Sequence, residues 1–447
     1  MRIRTILSGS LILLAALLRP AGAAIPLPPL DRTPAQWQRD FARLRSSDPE
    51  FRVASIAEFQ RITAYYRDLV TDGIAEHSFR DRDGESIRCV SVATQRSFRE
   101  SAPAGSAPRL GPVVPPSGGP ALAASAIPGF GLDGSLDEDG NARTCPLLTF
   151  PQLVPRLENL YRFATLDAIF AKHPGGDGPP PPAPRFAAET ETLEPPATAP
   201  TGHEYAHAYQ YVNNIGTYAA FNIWSPAVQR NDEFSLAQMW VSNGQYADDT
   251  LQTVEAGWQV FPTLYGDAKA HLFIYTTSQA YAKGSGCYNL MCSRFVQTNS
   301  SIVIAGSFTT YSTVGGTQYE LPLTVYRDPA TGDWWLRFGT TWVGYYPSSL
   351  FDGAGLLDHA QKVDVGGEIV NDDVLGVHTT TDMGSGHFAE EGYKHAAYIN
   401  NVTFWSADGA AFYPTALNPN ATTPDAYDLQ ISYSDPSWHT YIFFGGP

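Results

Sequence analysis

The sequence predicts an all-β domain, an antiparallel β-sandwich, preceded by a smaller N-terminal region of mixed helix and strand. Charged residues make up only 17% of the 447 residues, aromatic residues make up 12%, and the chain holds 39 glycines and 35 prolines. Few charges together with many aromatic residues and turn formers favour an all-β domain over a helical one. From residue 202 onward, short runs of aromatic and β-branched residues recur at roughly ten-residue intervals, which is typical of a sandwich.

The first residues have the pattern of a signal peptide over residues 1–23. Arg2 and Arg4 form a basic start, residues 6–18 form an apolar run, and residues 21–23 form an A-x-A cleavage site. The apolar run is too short to span a bilayer, so we expect a soluble chain, secreted to the extracellular space or the periplasm. The net charge of −16 argues against nucleic acid as a partner and fits an acidic working environment.

Residues 24–174 alternate between helical and extended patterns. Thr33-Pro34 is a helix start, and the apolar residues that follow it are spaced at helical intervals. Residues 86–91 (SIRCVS) predict a strand. The stretch 101–140 is rich in Pro, Gly, Ala and Ser and predicts a long loop, and residues 153–171 have a helical pattern.

Residues 175–200 form the clearest boundary in the chain. The sequence GGDGPPPPAPRFAAETETLEPPATAP cannot build a core, and we expect it to be an extended, solvated linker. It separates the N-terminal region from the β-rich region at 201–447. An independent N-terminal binding domain is one alternative for the region before the linker.

The β-rich region begins with a strand over residues 203–212, a turn at Asn213-Asn214 and a second strand at 217–224. The later strand predictions share aromatic and β-branched composition and lie at 234–242, 271–277, 301–308, 319–326, 334–339 and 431–434. No repeat indicates a propeller or a solenoid.

Two glutamates lie inside apolar, glycine-marked strand patterns. Glu255 stands in TVEAGWQVF and Glu368 in VDVGGEIVN. Carboxylates with such neighbours are partly desolvated, and two of them meeting in one cleft can share a proton, one acting as base and the other as acid. The plain alternative is that each is a surface residue on an alternating strand. Spacing alone also leaves Glu320, Glu390 and Glu391 as rivals for the second position.

His203-Glu204-Tyr205-Ala206-His207 fits the H-E-x-x-H pattern of zinc peptidases. That chemistry needs a helix, on which the two histidines are neighbours. The segment alternates as a strand instead, which places His203 and His207 roughly 13 Å apart, too far to share one ion. We therefore predict no metal and no cofactor here.

The four cysteines of an exported protein predict two disulfides, and three connectivities are possible. Cys287 and Cys292 can close a tight loop. Cys89 then pairs with Cys145, which keeps each bond within one of the two regions.

The β-rich region resembles the neprosin family of secreted glutamic peptidases. The resemblance is carried by TVEAGWQVFPTLYGDAKAHLFIYTT, GCYNLMCSRFVQTNSSI, DPATGDWWLRFG, VGYYPSSLF, VGGEIV, HTTTDMGSGHFAEEGYKHAAY and the closing FFGGP, with weaker matches in GESIRCVSV and TCPLLTFP. It implies an endopeptidase that cleaves after proline at acidic pH, with Glu255 and Glu368 as the catalytic pair. It also implies that the N-terminal region is an inhibitory, mixed α/β pro-domain and that the β-sandwich is the catalytic domain.

The resemblance further implies that proline-rich peptides are the substrates and that the chain's own pro-region is an inhibitory partner. Trp258, Trp335 and Tyr345 are candidates for an aromatic pocket around a proline ring, and each is equally well interpreted as a core residue. Paired glutamates and many tryptophans also suit a carbohydrate-active or carbohydrate-binding sandwich. An H-E-x-x-H zinc peptidase is the remaining alternative.

Overall fold

The computed structural model describes residues 27–120, 130–172, 202–372 and 377–447. The predicted signal peptide and the predicted linker therefore lie outside the described residues. None of the helices within these ranges combines the length and the apolar character needed to cross a membrane.

The N-terminal region combines short helices with a small antiparallel sheet. Its elements are α1 (Pro34–Ser47), α2 (Ile56–Thr71), β1 (Ala75–Arg80), β2 (Ser86–Ser91), α3 (Arg96–Ser101), β3 (Thr149–Leu153), α4 (Leu157–Leu160) and α5 (Leu166–Phe170), with a 3-10 turn at Val92–Thr94. The strands pair in the order β1-β2-β3. The predicted start of α1 is confirmed, because Thr33 and Gln36 form a capping box there.

The continuous helical pattern predicted over 153–171 is wrong. This stretch holds the end of β3 and the two short helices α4 and α5. Pro155 disfavours helical geometry in the residue before it, so a helix cannot run through Val154, and α4 begins at Leu157. Extended backbone at Thr165 separates α4 from α5.

The remainder of the chain is dominated by strands. They are β4 (Gly202–Asn222), β5 (Ser235–Asn243), β6 (Gln252–Val260), β7 (His271–Thr277), β8 (Gly286–Tyr288), β9 (Val296–Gln297), β10 (Glu320–Arg327), β11 (Trp334–Phe338), β12 (Thr341–Tyr346), β13 (Ala360–Asn371), β14 (Ala397–Ser406), β15 (Ala411–Phe412), β16 (Asn418–Ala421), β17 (Asp428–Asp435) and β18 (His439–Gly445). One short helix, α6 (Pro262–Tyr265), and 3-10 turns at Ser348–Leu350 and Ala389–Glu391 interrupt them.

These strands form one curled, antiparallel network, as predicted for a sandwich. The main path runs β8-β7-β6-β5-β13-β4-β10-β11-β12-β9, and β14 to β18 attach to it through β4. The main apolar core fills the inside of the curl and takes side chains from both halves of the path, including Trp258 on β6 and Trp334 on β11.

The turn predicted at Asn213-Asn214 is wrong, because β4 is a single strand of 21 residues. Its first half pairs with β13 up to Asn214, and its second half pairs with β10 and β14. The Asn214 side chain donates to the carbonyl oxygens of Val212 and Ala360, so a polar residue is accommodated where the strand changes partners. β4 is thus shared by the two halves of the network.

The strand predicted at 301–308 is also wrong. These residues are irregular and touch the sheet through an isolated bridge between His271 and Ser307. Ala305 has a positive φ of 67°, which no regular strand contains. Ile304 and Phe308 are buried in the main core, so burial explains the strand-like composition of this segment.

Both predicted disulfides are confirmed. Cys89 pairs with Cys145 in the N-terminal region, and Cys287 pairs with Cys292 in the β-rich region.

Candidate active site

Strand register places Glu255 and Glu368 on one face of the sheet. Glu255 on β6 lies opposite Trp240 on β5, and Trp240 lies opposite Asp364 on β13. Residues that pair directly across antiparallel strands share a face, and residues four apart on one strand share it too. Asp364 and Glu368 are four apart, so both glutamates project from the face that points away from the main core.

The row of positions between the two glutamates is nearly free of side chains. It consists of Gly257, Gln238 and Gly366, which lie opposite one another on β6, β5 and β13. A Cβ at Gly366 would come within 2.4 Å of the His207 Cα, so this position accepts only glycine. The glycines leave a depression in which the longer glutamate side chains can approach each other.

Lys172 bridges the two carboxylates. Its Nζ lies 2.6 Å from Glu255 Oε2 and 3.0 Å from Glu368 Oε2. The two carboxylate oxygens are therefore at most 5.6 Å apart, the sum of these distances. Both glutamates are fully buried and the Lys172 side chain is only 7% exposed. Burial lowers the pKa of Lys172, but the two carboxylates outweigh that effect and raise it overall.

Glu368 has two further partners. His203 Nδ1 contacts its Oε1, and Gln238 Nε2 donates to its Oε2 at 2.8 Å. Burial raises the pKa of Glu368, but Lys172 and His203 outweigh burial and hold this pKa at about 2. Glu368 is thus fixed as an ionised carboxylate in this arrangement.

Glu255 is held by hydroxyl donors. Thr253 Oγ1 donates to its Oε1 at 2.8 Å, and Tyr281 OH donates to the same oxygen at 2.7 Å. Burial, and then the negative charge of Glu255, raise the pKa of Tyr281 well above its ordinary value. The phenol therefore stays protonated and remains a donor.

The N-terminal region covers this face of the sheet. Leu236, Phe273 and Val370 project from the same face as the glutamates and share an apolar cluster with side chains of the N-terminal region. The N-terminal members of that cluster include Phe59, Leu160, Tyr161, Phe163 and Ile169.

Residues 170–172, at the end of the described range 130–172, lie across the depression itself. Tyr275 OH donates to the Phe170 carbonyl oxygen at 3.2 Å, and Tyr288 OH donates to the Lys172 carbonyl oxygen at 3.1 Å. Lys172 Nζ also lies 5.1 Å from the centre of the Trp240 ring. In this structure the two glutamates are thus closed off by the chain's own residues 170–172.

A row of aromatic and charged residues continues the same face along β4 and β13. Tyr205 pairs with Glu368, Tyr209 with Asp364, and Tyr211 with Lys362. Lys362 Nζ donates to Asp364 Oδ1 at 2.7 Å and lies 4.7 Å from the Tyr209 ring centre. Tyr211 is 39% exposed, so this row leads from the buried glutamates to the surface.

The H-E-x-x-H segment lies on β4, and its predicted strand conformation is confirmed. His203 contacts Glu368, whereas His207 Nδ1 lies 3.2 Å from Asp364 Oδ1 and His207 Nε2 lies 2.7 Å from Asn420 Nδ2. The two histidines thus serve different carboxylates.

The three aromatic candidates lie elsewhere. Trp258 is fully buried in the main core, on the face of β6 opposite to Glu255, and its Nε1 donates to the Asn222 carbonyl oxygen at 2.9 Å. Trp335 and Tyr345 lie with their ring centres 4.7 Å apart at a tilt of 37°, in a cluster with Phe98 of the N-terminal region. The structure shows no contact between these three side chains and the two glutamates within the described residues.

The rival glutamates also have other partners. Glu320 Oε1 accepts from Tyr398 OH and Asn400 Nδ2, at 3.0 and 2.8 Å. Glu390 and Glu391 belong to the loop between β13 and β14.

Sequence reasoning missed several residues of the site: Lys172, Gln238, Trp240, Thr253 and Tyr281. Gln238 and Trp240 carried a usable signal, because alternation along β5 puts them on a face that a paired strand could share with Glu255. Lys172 carried none, because a lone lysine beside a proline-rich linker has no motif.

A family match covers most of the β-rich region. Residues 231–447 match the family model of neprosin. This part of the chain belongs to the neprosin family. The matched neprosin segment contains both glutamates, Gln238, Trp240 and Tyr281, whereas β4 with His203 begins before it and Lys172 lies well upstream.

Two solved structures are distantly similar to this chain. One is a Scytalido-glutamic peptidase with a peptide-based transition state analogue, at 11% identity and a TM-score of 0.30, covering 54% of this chain and 97% of that chain. The other is CG-16, a homodimeric agglutinin from chicken liver, at 9% identity and a TM-score of 0.20, covering 36% of this chain and 93% of that chain. Both likenesses are too distant to bear on function.

Proposed function

We propose that this protein is an exported glutamic endopeptidase that cleaves after proline and is made as an inactive precursor. Membership of the neprosin family supports a peptidase. The observation that carries the proposal further is the pair of fully buried glutamates on one sheet face, with carboxylate oxygens at most 5.6 Å apart, the sum of their two distances to Lys172. Two carboxylates this close suit a shared proton and general acid–base chemistry on a bound water.

The partners of each glutamate suggest how the two roles divide once Lys172 has left. Glu368 keeps His203 and Gln238, and a protonated histidine favours the ionised carboxylate. We therefore assign the base role to Glu368 and the acid role to Glu255, whose other hydrogen bonds among the described residues come from the hydroxyls of Thr253 and Tyr281.

In this scheme the ionised Glu368 takes a proton from water while the water oxygen bonds to the scissile carbonyl carbon. The proton of Glu255 first forms a hydrogen bond to the carbonyl oxygen. As the C–N bond breaks, Glu255 transfers this proton to the leaving nitrogen. Because one group is ionised and the other neutral, the rate falls when both are charged, which gives an acidic optimum.

The same face supports binding of an extended, proline-rich peptide. Trp240 and Tyr205 lie beside the glutamates with ring centres 6.2 Å apart, and the aromatic row along β4 continues to the surface. Flat aromatic faces bind proline rings without needing to match a side-chain charge. The covering N-terminal region and the two disulfides support the precursor form and an oxidising compartment.

The function is tested with peptides that are identical except for one proline. The acid-treated protein is incubated with the proline peptide and with its alanine counterpart across acidic and neutral pH, and the products are located by mass spectrometry. Cleavage after proline, restricted to acidic pH, supports the proposal. Equal cleavage of both peptides contradicts the specificity, and no cleavage of either contradicts the peptidase.

Two tryptophans provide a matched test of the binding face. Trp240→Ala is expected to raise KM for the proline peptide about tenfold, because an aromatic contact is worth about 0.5–1.5 kcal/mol beyond its area. Trp258→Phe is expected to leave KM unchanged and to lower the free energy of unfolding by about 1–3 kcal/mol, because it loses a buried hydrogen bond. Steady-state kinetics and thermal unfolding check both; a KM change in Trp258→Phe alone would reverse the assignment.

Chelators are expected to leave the initial rate of peptide cleavage unchanged. The two histidines of H-E-x-x-H face different carboxylates, so the reaction draws on carboxyl groups alone. Rates are compared with and without EDTA or phenanthroline. A loss of activity that added zinc restores would show that the reaction depends on a metal.

A further inference from the structure

A second cluster of reactive side chains lies in the loop between β13 and β14. It consists of His387, Glu391 and His395, which are spaced four residues apart in the sequence. One ligand atom from each of them lies within 4.8 Å of the other two. His387 Nδ1 lies 2.8 Å from Glu391 Oε2, and the two histidine rings have centres 5.9 Å apart. The glutamic peptidase chemistry proposed above does not use these residues.

The backbone of this loop is fixed from several sides. The Ala389 N–H donates to Asp428 Oδ1 at 2.8 Å, and the Met383 N–H donates to the Gly446 carbonyl oxygen at 2.9 Å. The Gly315 N–H donates to the Lys394 carbonyl oxygen at 2.9 Å. These bonds hold both sides of the cluster in place, so the three side chains converge without help from an ion.

We propose that His387, Glu391 and His395 bind one divalent transition-metal ion of the Zn²⁺ type. Two imidazoles and one carboxylate are ligands that Zn²⁺ accepts, and water can complete a tetrahedral shell. Metal–ligand bonds of about 2.0–2.2 Å place tetrahedral ligand atoms roughly 3.3 Å apart. The present separations, from 2.8 Å up to the 4.8 Å limit, bracket that value, so rotations of partly exposed side chains are enough to close the site.

The position of the loop indicates what the ion would do. Just before the cluster, Met383 packs beneath Gly367, where an added Cβ would meet the Met383 Sδ at 2.6 Å. Gly367 is the chain neighbour of Glu368 but faces the core. A metal at this loop would therefore brace the strand that carries Glu368 without touching its carboxylate, and would add stability rather than a catalytic group.

The simpler interpretation is an ion pair between His387 and Glu391 with His395 nearby, and metal titration separates the two. The full-length chain carrying Glu255→Gln is titrated with Zn²⁺ at neutral pH by calorimetry, and its melting temperature is measured with and without Zn²⁺. We expect one Zn²⁺ per chain and a melting temperature that rises with Zn²⁺ concentration.

His395→Ala and Glu391→Gln, each added to the same background, are expected to weaken binding by at least about tenfold, because each removes one of three ligands. His359→Ala is the control and is expected to bind as before. Unchanged binding in both ligand variants, or no Zn²⁺-dependent rise in melting temperature, would overturn the site. If one ligand variant misfolds, the other decides. Metal binding and melting temperature are measured without any peptidase activity, so the result does not depend on whether the peptidase proposal holds.

Discussion

Glu255→Gln and Glu368→Gln are each expected to lower kcat/KM for a proline-containing peptide by at least about 10³-fold, within the range that general acid–base groups supply. Glutamine has nearly the same shape as glutamate but can neither take nor give the proton. The loss should appear in kcat, because neither carboxylate is needed to hold the peptide. Steady-state kinetics of the mature forms at the pH optimum measure it.

Glu320→Gln is the matched control for this experiment. Glu320 also lies on a strand of the sheet, but its carboxylate accepts hydrogen bonds from Tyr398 and Asn400 and takes no part in the pair. We expect its activity to match the wild type. Near wild-type activity in either Glu255→Gln or Glu368→Gln, with an unchanged melting temperature, would refute the catalytic pair.

The second large effect expected is acid-driven conversion of the precursor to a mature form that begins between about Ala183 and Gly202, inside the proline-rich stretch. Extended proline segments present their backbone to a cleft without unfolding. In this structure Lys172 contacts both glutamates, and under the proposed function the N-terminal region must leave before a substrate can reach them. Gel electrophoresis and mass spectrometry of the products follow the conversion.

The pH at which the contact between Lys172 and Glu368 breaks follows from the pKa of Glu368. With Lys172 in place the pKa of Glu368 is about 2, against an ordinary value of 4.5. A carboxylate with a depressed folded pKa stabilises the folded form fully above its ordinary value, and this contribution is lost as pH falls through the folded value. The hold on Lys172 should therefore weaken below about pH 4.5 and be largely gone near pH 2. Burial raises the pKa of Asp83, but Lys269 and Ser307 outweigh burial and lower this pKa overall. The ion pair between Asp83 and Lys269 should therefore also weaken as the pH falls.

Lys172→Met tests whether the contact of Lys172 with the two glutamates keeps the protein inactive. Removing one partner of a buried ionic group typically costs about 3–5 kcal/mol, because the remaining charges are left unpaired. We expect the variant precursor to convert at a pH nearer neutral than the wild type, whereas Lys172→Arg keeps the charge and should convert close to the wild-type pH. If Lys172→Met converts at the same pH as the wild type, Lys172 does not keep the precursor inactive.

The Glu255→Gln variant shows which protease cleaves the linker. It is expected to stay intact in acid and to convert only when active enzyme is added. If it converts alone at the wild-type rate, another protease or simple hydrolysis cuts the linker, and self-activation is wrong.

The sequence by itself determined the fold class and both disulfides, through alternation along strands and through cysteine spacing. It marked Glu255 and Glu368 as charged residues inside apolar runs, but Glu320, Glu390 and Glu391 remained rivals, and the family resemblance selected the pair. Residues 203–207 show this well, since alternation alone gave β4 its strand conformation and separated His203 from His207. Local pattern also explains the wrong strand prediction at 301–308, because burial gives this irregular segment a strand-like composition.

Only the tertiary structure decided what surrounds the glutamates. Alternation puts Trp258 and Glu255 on opposite faces of β6, but which face is core and which is cleft depends on how the network curls and on where the N-terminal region packs. The same holds for Lys172, which is 83 residues from Glu255 in the chain and meets it through one contact of 2.6 Å. A contact between residues so distant depends on the packing of whole elements, and no spacing in the sequence records it.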